Sequence, residues 1–78
     1  MDNIEKTTVN LIAKRDFELY DIWEDRIFVS AGDVYKGVVI ETGGLRFVTI
    51  KLPAGDAAYM ANYLEEFFEI KECDVDVH

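Results

Sequence analysis

The stretch Val34–Pro53, "VYKGVVIETGGLRFVTIKLP", decides the fold. Two runs rich in β-branched residues flank Gly43-Gly44, and the paired glycines supply the positive φ angles that a two-residue hairpin turn demands. With those two in the turn, Glu41 faces Arg46, Val39 faces Val48 and Gly37 faces Ile50. One face of the hairpin then shows Tyr35, Val39, Val48, Ile50 and Leu52. The other shows Val34, Val38, Ile40, Leu45 and Phe47. Both faces are apolar, so something should cover each of them.

Upstream, "TVNLIA" puts Val9, Leu11 and Ala13 on one side of a strand. "FELYDIW" and "RIFVS" are two more short β-rich runs, ended by the turn signal "SAGD". Five short strands at this spacing predict a small, strongly bent barrel or sandwich. Downstream, Pro53 ends the hairpin and Asp56 is placed to N-cap a helix over "AAYMANYLEEFF". At 100° per residue, Ala57, Met60, Ala61, Leu64, Phe67 and Phe68 share one face, with Glu65, Glu69 and Glu72 opposite. Leu64 and Phe67 are expected in the core. Residues 67–72 stay open between two endings: the helix runs through them, or "FFEIKE" forms a last strand with Phe68 and Ile70 turned inward. The predicted class is mainly β with one helix (α+β).

The chain has 78 residues, enough for one small domain over 1–78 that buries roughly 60% of its extended surface. Residues 73–78 read as a flexible acidic tail. Half of the residues are apolar, which favours a folded domain over a disordered acidic chain. No apolar run approaches the ~18 residues of a membrane span, and "MDNIEKTT" lacks the hydrophobic region of a signal peptide. Cys73 is the only cysteine, so no internal disulfide can form and a cytoplasmic, reducing setting is expected.

Charge is distributed unevenly. The net charge is −8, and residues 16–25 alone hold five acids with no Lys or Arg. Residues 54–78 hold seven acids against Lys71, whereas the remaining segments are slightly basic. Such a chain repels nucleic acid and anionic lipid and attracts Lys- and Arg-rich proteins.

The order of pieces resembles an SH3-like barrel. "ELYD" (Glu18 to Asp21) is similar to the opening ALYD motif of SH3 domains, "FVSAGDVY" to their strand-turn segment, and "MANYLEEF" to their closing segment. Small acidic SH3-like proteins encoded by bacteriophages look alike in "GDVY" and "FEI". The resemblance implies a small SH3-like barrel of about five antiparallel strands plus a C-terminal amphipathic helix. It also implies an aromatic groove at Tyr20 and Tyr63; the family's Trp at the start of the third strand has no counterpart, and Trp23 lies in the first loop instead.

No catalytic motif is present. Gly43-Gly44 precedes a strand, whereas a phosphate-binding glycine loop must open a helix, and the single histidine is the last residue. Cys73, Asp74, Asp76 and His78 have metal-binding side chains, but a frayed terminus does not fix ligands in space. No catalytic residue, metal or cofactor is therefore expected. Nor do aromatic residues set among acids suit nucleic acid, because stacking platforms for single strands carry basic neighbours.

Two functions follow. In the first, the protein is a DNA mimic that occupies the DNA-binding surface of a basic host protein, such as a histone-like nucleoid protein, in a bacterial cytoplasm. Asp16, Glu18, Asp21, Glu24 and Asp25, with Glu65, Glu66, Glu69 and Glu72, would replace phosphates. Carboxylates one helical turn apart stand ~5–6 Å from each other, near the phosphate spacing of DNA. In the second, an interaction or assembly module binds a partner through Tyr20, Trp23 and Tyr63. Either fits a monomer or a homodimer with no direct nucleic-acid or membrane contact.

Overall fold

The computed structural model describes residues 4–73. Seven strands and one helical turn run in the order β1 (Glu5–Ala13), β2 (Phe17–Tyr20), β3 (Arg26–Val29), β4 (Val34–Thr42), β5 (Leu45–Ile50), β6 (Ala57–Met60), α1 (Ala61–Leu64) and β7 (Phe68–Glu72). A five-stranded antiparallel sheet is ordered β6-β5-β4-β1-β7, and β2 and β3 form a separate two-stranded hairpin.

The β4–β5 hairpin has the expected register. Glu41 pairs with Arg46, Val39 with Val48 and Gly37 with Ile50. Gly43 and Gly44 hold φ of 58° and 81°, the left-handed values that this turn needs. Gly37 answers a different need. A Cβ there would lie 2.7 Å from the Thr49 carbonyl oxygen and 2.9 Å from Leu11 Cδ1, so its hydrogen is what lets Leu11 reach the sheet.

The core lies between the inner face of the large sheet and the β2–β3 hairpin. Val9, Leu11 and Ala13 of β1 meet Val39, Val48 and Ile50 of β4 and β5. Leu19 and Val29 close it from the hairpin, and Leu64 and Phe68 from the far end of the chain.

Several expectations are corrected. The sheet does not close into an SH3-like barrel: β6 and β7 are its two free edges, with no ladder between them and none to the β2–β3 hairpin, so the sheets stay open. The strand count is seven rather than about five. The long amphipathic helix is also absent. Residues 57–60 instead pair with β5, from Ile50↔Ala57 to Phe47↔Met60, and alternate between half-buried and exposed with a period of two. The open edge of β5 offers unpaired backbone groups, and satisfying them outweighs the weak helical preference of a short segment.

Helical geometry survives for one turn only. Met60 has extended backbone angles and no side chain caps α1, so Asp56 is not its N-cap. Of the two endings left open at 67–72, the strand forms, with Phe68 buried and Ile70 half-buried facing β1. Phe68 is 1% exposed, whereas Phe67, expected in the core, is half-buried.

Candidate protein-interaction surface

A run of aromatic rings crosses the open end between the hairpin and α1. Tyr59 stacks on Tyr63 with ring centroids 5.8 Å apart, and Tyr63 leans on Phe67 at 5.3 Å. Phe67 stacks on Phe17 of β2 at 4.7 Å, and Phe17 meets Phe68 edge-on at 5.2 Å. These separations are those of attractive aromatic pairs. Three of the residues are four apart in sequence. The helical turn carries Tyr63 and Phe67 to one side, held by the Glu65 N–H to the Ala61 carbonyl and the Phe67 N–H to the Leu64 carbonyl, both at 2.9 Å.

The ladder is anchored inside and open outside. The Tyr59 hydroxyl donates a 2.8 Å hydrogen bond to the Tyr20 carbonyl, tying β6 to the end of β2. Burial raises the Tyr59 hydroxyl pKa above its ordinary value, helped by the nearby Tyr63 and Asp21. Tyr35, also raised by burial and next by Asp33, continues the cluster beneath Phe68 at 6.1 Å. Toward solvent, Tyr63 is 49% exposed, Tyr20 is exposed, and Trp23 stands 71% exposed at the tip of the β2–β3 hairpin.

A cation already occupies one rung. The Arg15 guanidinium carbon lies 4.9 Å from the centre of the Phe67 ring, within cation–π range. Lys14, its neighbour, donates from Nζ to the Glu65 carbonyl at 2.7 Å.

The acids divide by role. Asp16 Oδ1 accepts from the Ala31 N–H at 2.8 Å, and Asp21 Oδ1 accepts from the N–H groups of Trp23 and Asp25. These two carboxylates fold the hairpin and its turn. Glu24 sits at φ 64°, and Glu18 stands 3.8 Å from Arg26 in an exposed ion pair. Glu24 and Asp25 are exposed at the hairpin tip, within a few residues of Tyr20 and Trp23.

The other acidic group is dispersed. Glu65 caps the end of α1 and pairs with Arg46 of β5 at 3.1 Å, and Glu66 follows in the turn. Glu69 and Glu72 lie on β7, three residues apart and therefore on opposite faces of a strand. Glu69 pairs in register with Ile12 and Glu72 with Val9, and only Val9 points into the core. The phosphate-like spacing expected of a helix is thus absent, because the residues that were to carry it are not helical. Asp74–His78, and with them most of the tail's metal-binding side chains, lie outside the described residues. Among the described residues no three His, Cys, Asp or Glu side chains come together as a metal cluster, and no helix is long and apolar enough to cross a membrane.

Tyr20 and Tyr63 were visible in the sequence as an aromatic pair. Tyr59 was visible too, as another aromatic residue set among acids, whereas Phe17, Phe67 and Arg15 were missed as parts of the surface. The four-residue spacing of Tyr59, Tyr63 and Phe67 was the available signal, obscured because Phe67 was assigned to the buried face of a helix. No protein-family model, curated protein or solved structure matches the chain.

Proposed function

We propose that this protein is an interaction module that docks a Lys- or Arg-bearing surface of a partner protein on the Tyr59–Tyr63–Phe67 ladder and the neighbouring Tyr20 and Trp23. The supporting observation is Arg15 stacked on Phe67, with the same ladder continuing outward to the exposed Tyr63. A partner cation can extend that stack, and Glu18, Glu24 and Asp25 on the adjoining hairpin add ion pairing. The lone Cys73, free in the structure, suits a cytoplasmic setting. A basic DNA-binding protein is one member of this partner class, and for it, exclusion of DNA would accompany docking.

Trp23 is the chain's single tryptophan and reports the site directly. Titration with an Arg-rich peptide should shift its emission, and an Asp/Glu-rich peptide should not. Tyr63→Ala should weaken binding by about tenfold, the loss of a contact worth 1–2 kcal/mol. A gel shift with basic DNA-binding proteins separates the two outcomes: displacement of DNA that Tyr63→Ala abolishes supports DNA exclusion through this site. An unchanged Trp23 spectrum and unchanged ladder resonances at millimolar peptide would refute the docking surface.

A further inference from the structure

The outer face of the five-stranded sheet is uncovered. Because Val9, Leu11, Val39, Val48 and Ile50 point into the core, their strand neighbours point away from it. Cross-strand register sets those neighbours in rows. Met60, Phe47, Ile40 and Lys6 form one row, and Ala58, Thr49, Val38 and Thr8 the next. A third places Lys36, Asn10 and Lys71 side by side. Lys51 sits directly opposite Lys36, its N–H bonded to the Lys36 carbonyl at 2.9 Å.

Four of the five lysines of a chain with net charge −8 therefore share one face. Like charges opposed across strands are destabilising. Among the described residues neither Lys36 nor Lys51 makes an ion pair, although Asp56 stands on the wall of the shallow cavity of about 390 Å³ between them. Val34, Leu45 and Met60 are exposed on the same face.

The opposite side of the molecule carries the complement. The β2–β3 hairpin covers the inner face of the sheet through Leu19 and Val29, and presents Ile22, Trp23 and Phe28 to solvent beside Glu18, Glu24 and Asp25. Phe28 is 75% exposed. Most of the large exposed apolar side chains thus sort into two patches, one edged with lysines, of which Lys71 pairs with Glu69, and one edged with acids in excess of its single Arg26, which pairs with Glu18.

We propose that the outer sheet face docks the β2–β3 hairpin of a second copy, so that copies associate head to tail. This rests on the docking function above and names one Lys-bearing partner for it: the chain's own sheet. Because the two patches face opposite ways, a copy cannot satisfy itself, and the contact is heterologous and extends beyond a dimer. The hairpin is the smaller surface: two strands at ~4.8 Å by about six residues at ~3.3 Å, tip included, give a footprint of roughly 200 Å² per copy, well below the ~800 Å² of a stable partner surface. Association is therefore weak and concentration-dependent.

Sedimentation velocity at about 0.15 M salt tests this, since a Debye length of ~8 Å screens the long-range repulsion between acidic copies. Wild type should grow from monomer through dimer to larger species between roughly 10 μM and 1 mM, as a sub-standard interface predicts. Lys36→Glu/Lys51→Glu and Trp23→Ser/Phe28→Ser alter only exposed side chains, and each should be monomeric alone. Mixed, they should form a 1:1 complex and nothing larger, because one intact face meets one intact hairpin. Wild type monomeric at 1 mM, a mixture that stays monomeric, or variants that associate like wild type would each overturn the proposal. Lys36→Glu/Lys51→Glu retains the aromatic ladder. If it still binds the Arg-rich peptide while wild type never self-associates, the docking function stands and the second-copy proposal fails. If it does not bind that peptide, the docking function itself fails.

Discussion

Replacing Gly37 by Ala adds one methyl group at the most crowded point of the sheet. That carbon would sit 2.7 Å from a backbone oxygen, Thr49 O, and 2.9 Å from Leu11 Cδ1. The oxygen cannot move without disturbing the β4–β5 ladder, and Leu11, 0% exposed, has no empty space to retreat into. Overpacking of this kind costs ~1–3 kcal/mol. Relief of the glycine's entropy penalty returns ~0.5–1 kcal/mol. The net loss is about 1–2 kcal/mol against a total stability of ~4–12 kcal/mol for a chain of this length. For a domain this small, that lowers Tm by ~5–15 °C. Thermal melts followed by far-UV circular dichroism measure it, with urea melts giving the free energy. Adding Leu11→Val withdraws one of the two opposing groups, so the double variant should lose less than the two single losses combined. A Gly37→Ala protein melting within about 2 °C of wild type would refute the claim that β1 and β4 approach closely enough to require glycine there.

The adjacent phenylalanines should respond unequally: Phe68→Ala costs ~3–5 kcal/mol, and Phe67→Ala, half-buried, distinctly less, as paired urea melts would show. Asp21→Ala leaves the Trp23 and Asp25 N–H groups without their acceptor, so it should cost ~0.5–1.5 kcal/mol and change Trp23 emission. The Tyr35 and Tyr59 hydroxyls hold their protons more tightly folded than unfolded, so their contribution is complete below pH ~10 and declines as pH rises through their elevated folded values. Melts from pH 9 to 11 should show Tm declining, and Tyr59→Phe should flatten that decline.

How far sequence carried the fold depends on whether neighbouring residues or distant ones decided each element. The β4–β5 hairpin was readable to the residue because Gly43-Gly44 fixes turn and register locally. Residues 57–60 were misread because Ala57, Met60, Ala61, Leu64 and Phe68 satisfy a 100° stripe, of which only Ala61–Leu64 is helical, while what makes 57–60 a strand is the free edge of β5, a partner no local pattern names. Closure failed for a similar reason: whether β6 and β7 meet depends on how far the sheet bends around its core. At the interaction surface, single exposed aromatics could be read from the chain. The ladder could not, because Phe17 joins Phe67 only once β2 packs against the far end of the sequence. The charge clusters were also real as composition, yet Asp16 and Asp21 serve their own backbone, and Glu69 and Glu72 part to opposite faces of β7.

The pairing of β1 with β7 sets how this protein can fold. Those strands lie at the two ends of the described chain, and β7 joins the sheet only through β1. The β2–β3 and β4–β5 hairpins close short loops and can form within microseconds. Placing Phe68 against Tyr35 and Phe17 has to wait for a loop spanning nearly the whole domain to close. Such non-local topology places the rate among the slow small domains, in milliseconds to seconds. During that interval the edge of β1 is bare and the lysine-lined face has no finished core behind it, so the nascent chain is most open to mispairing with other copies before β7 docks.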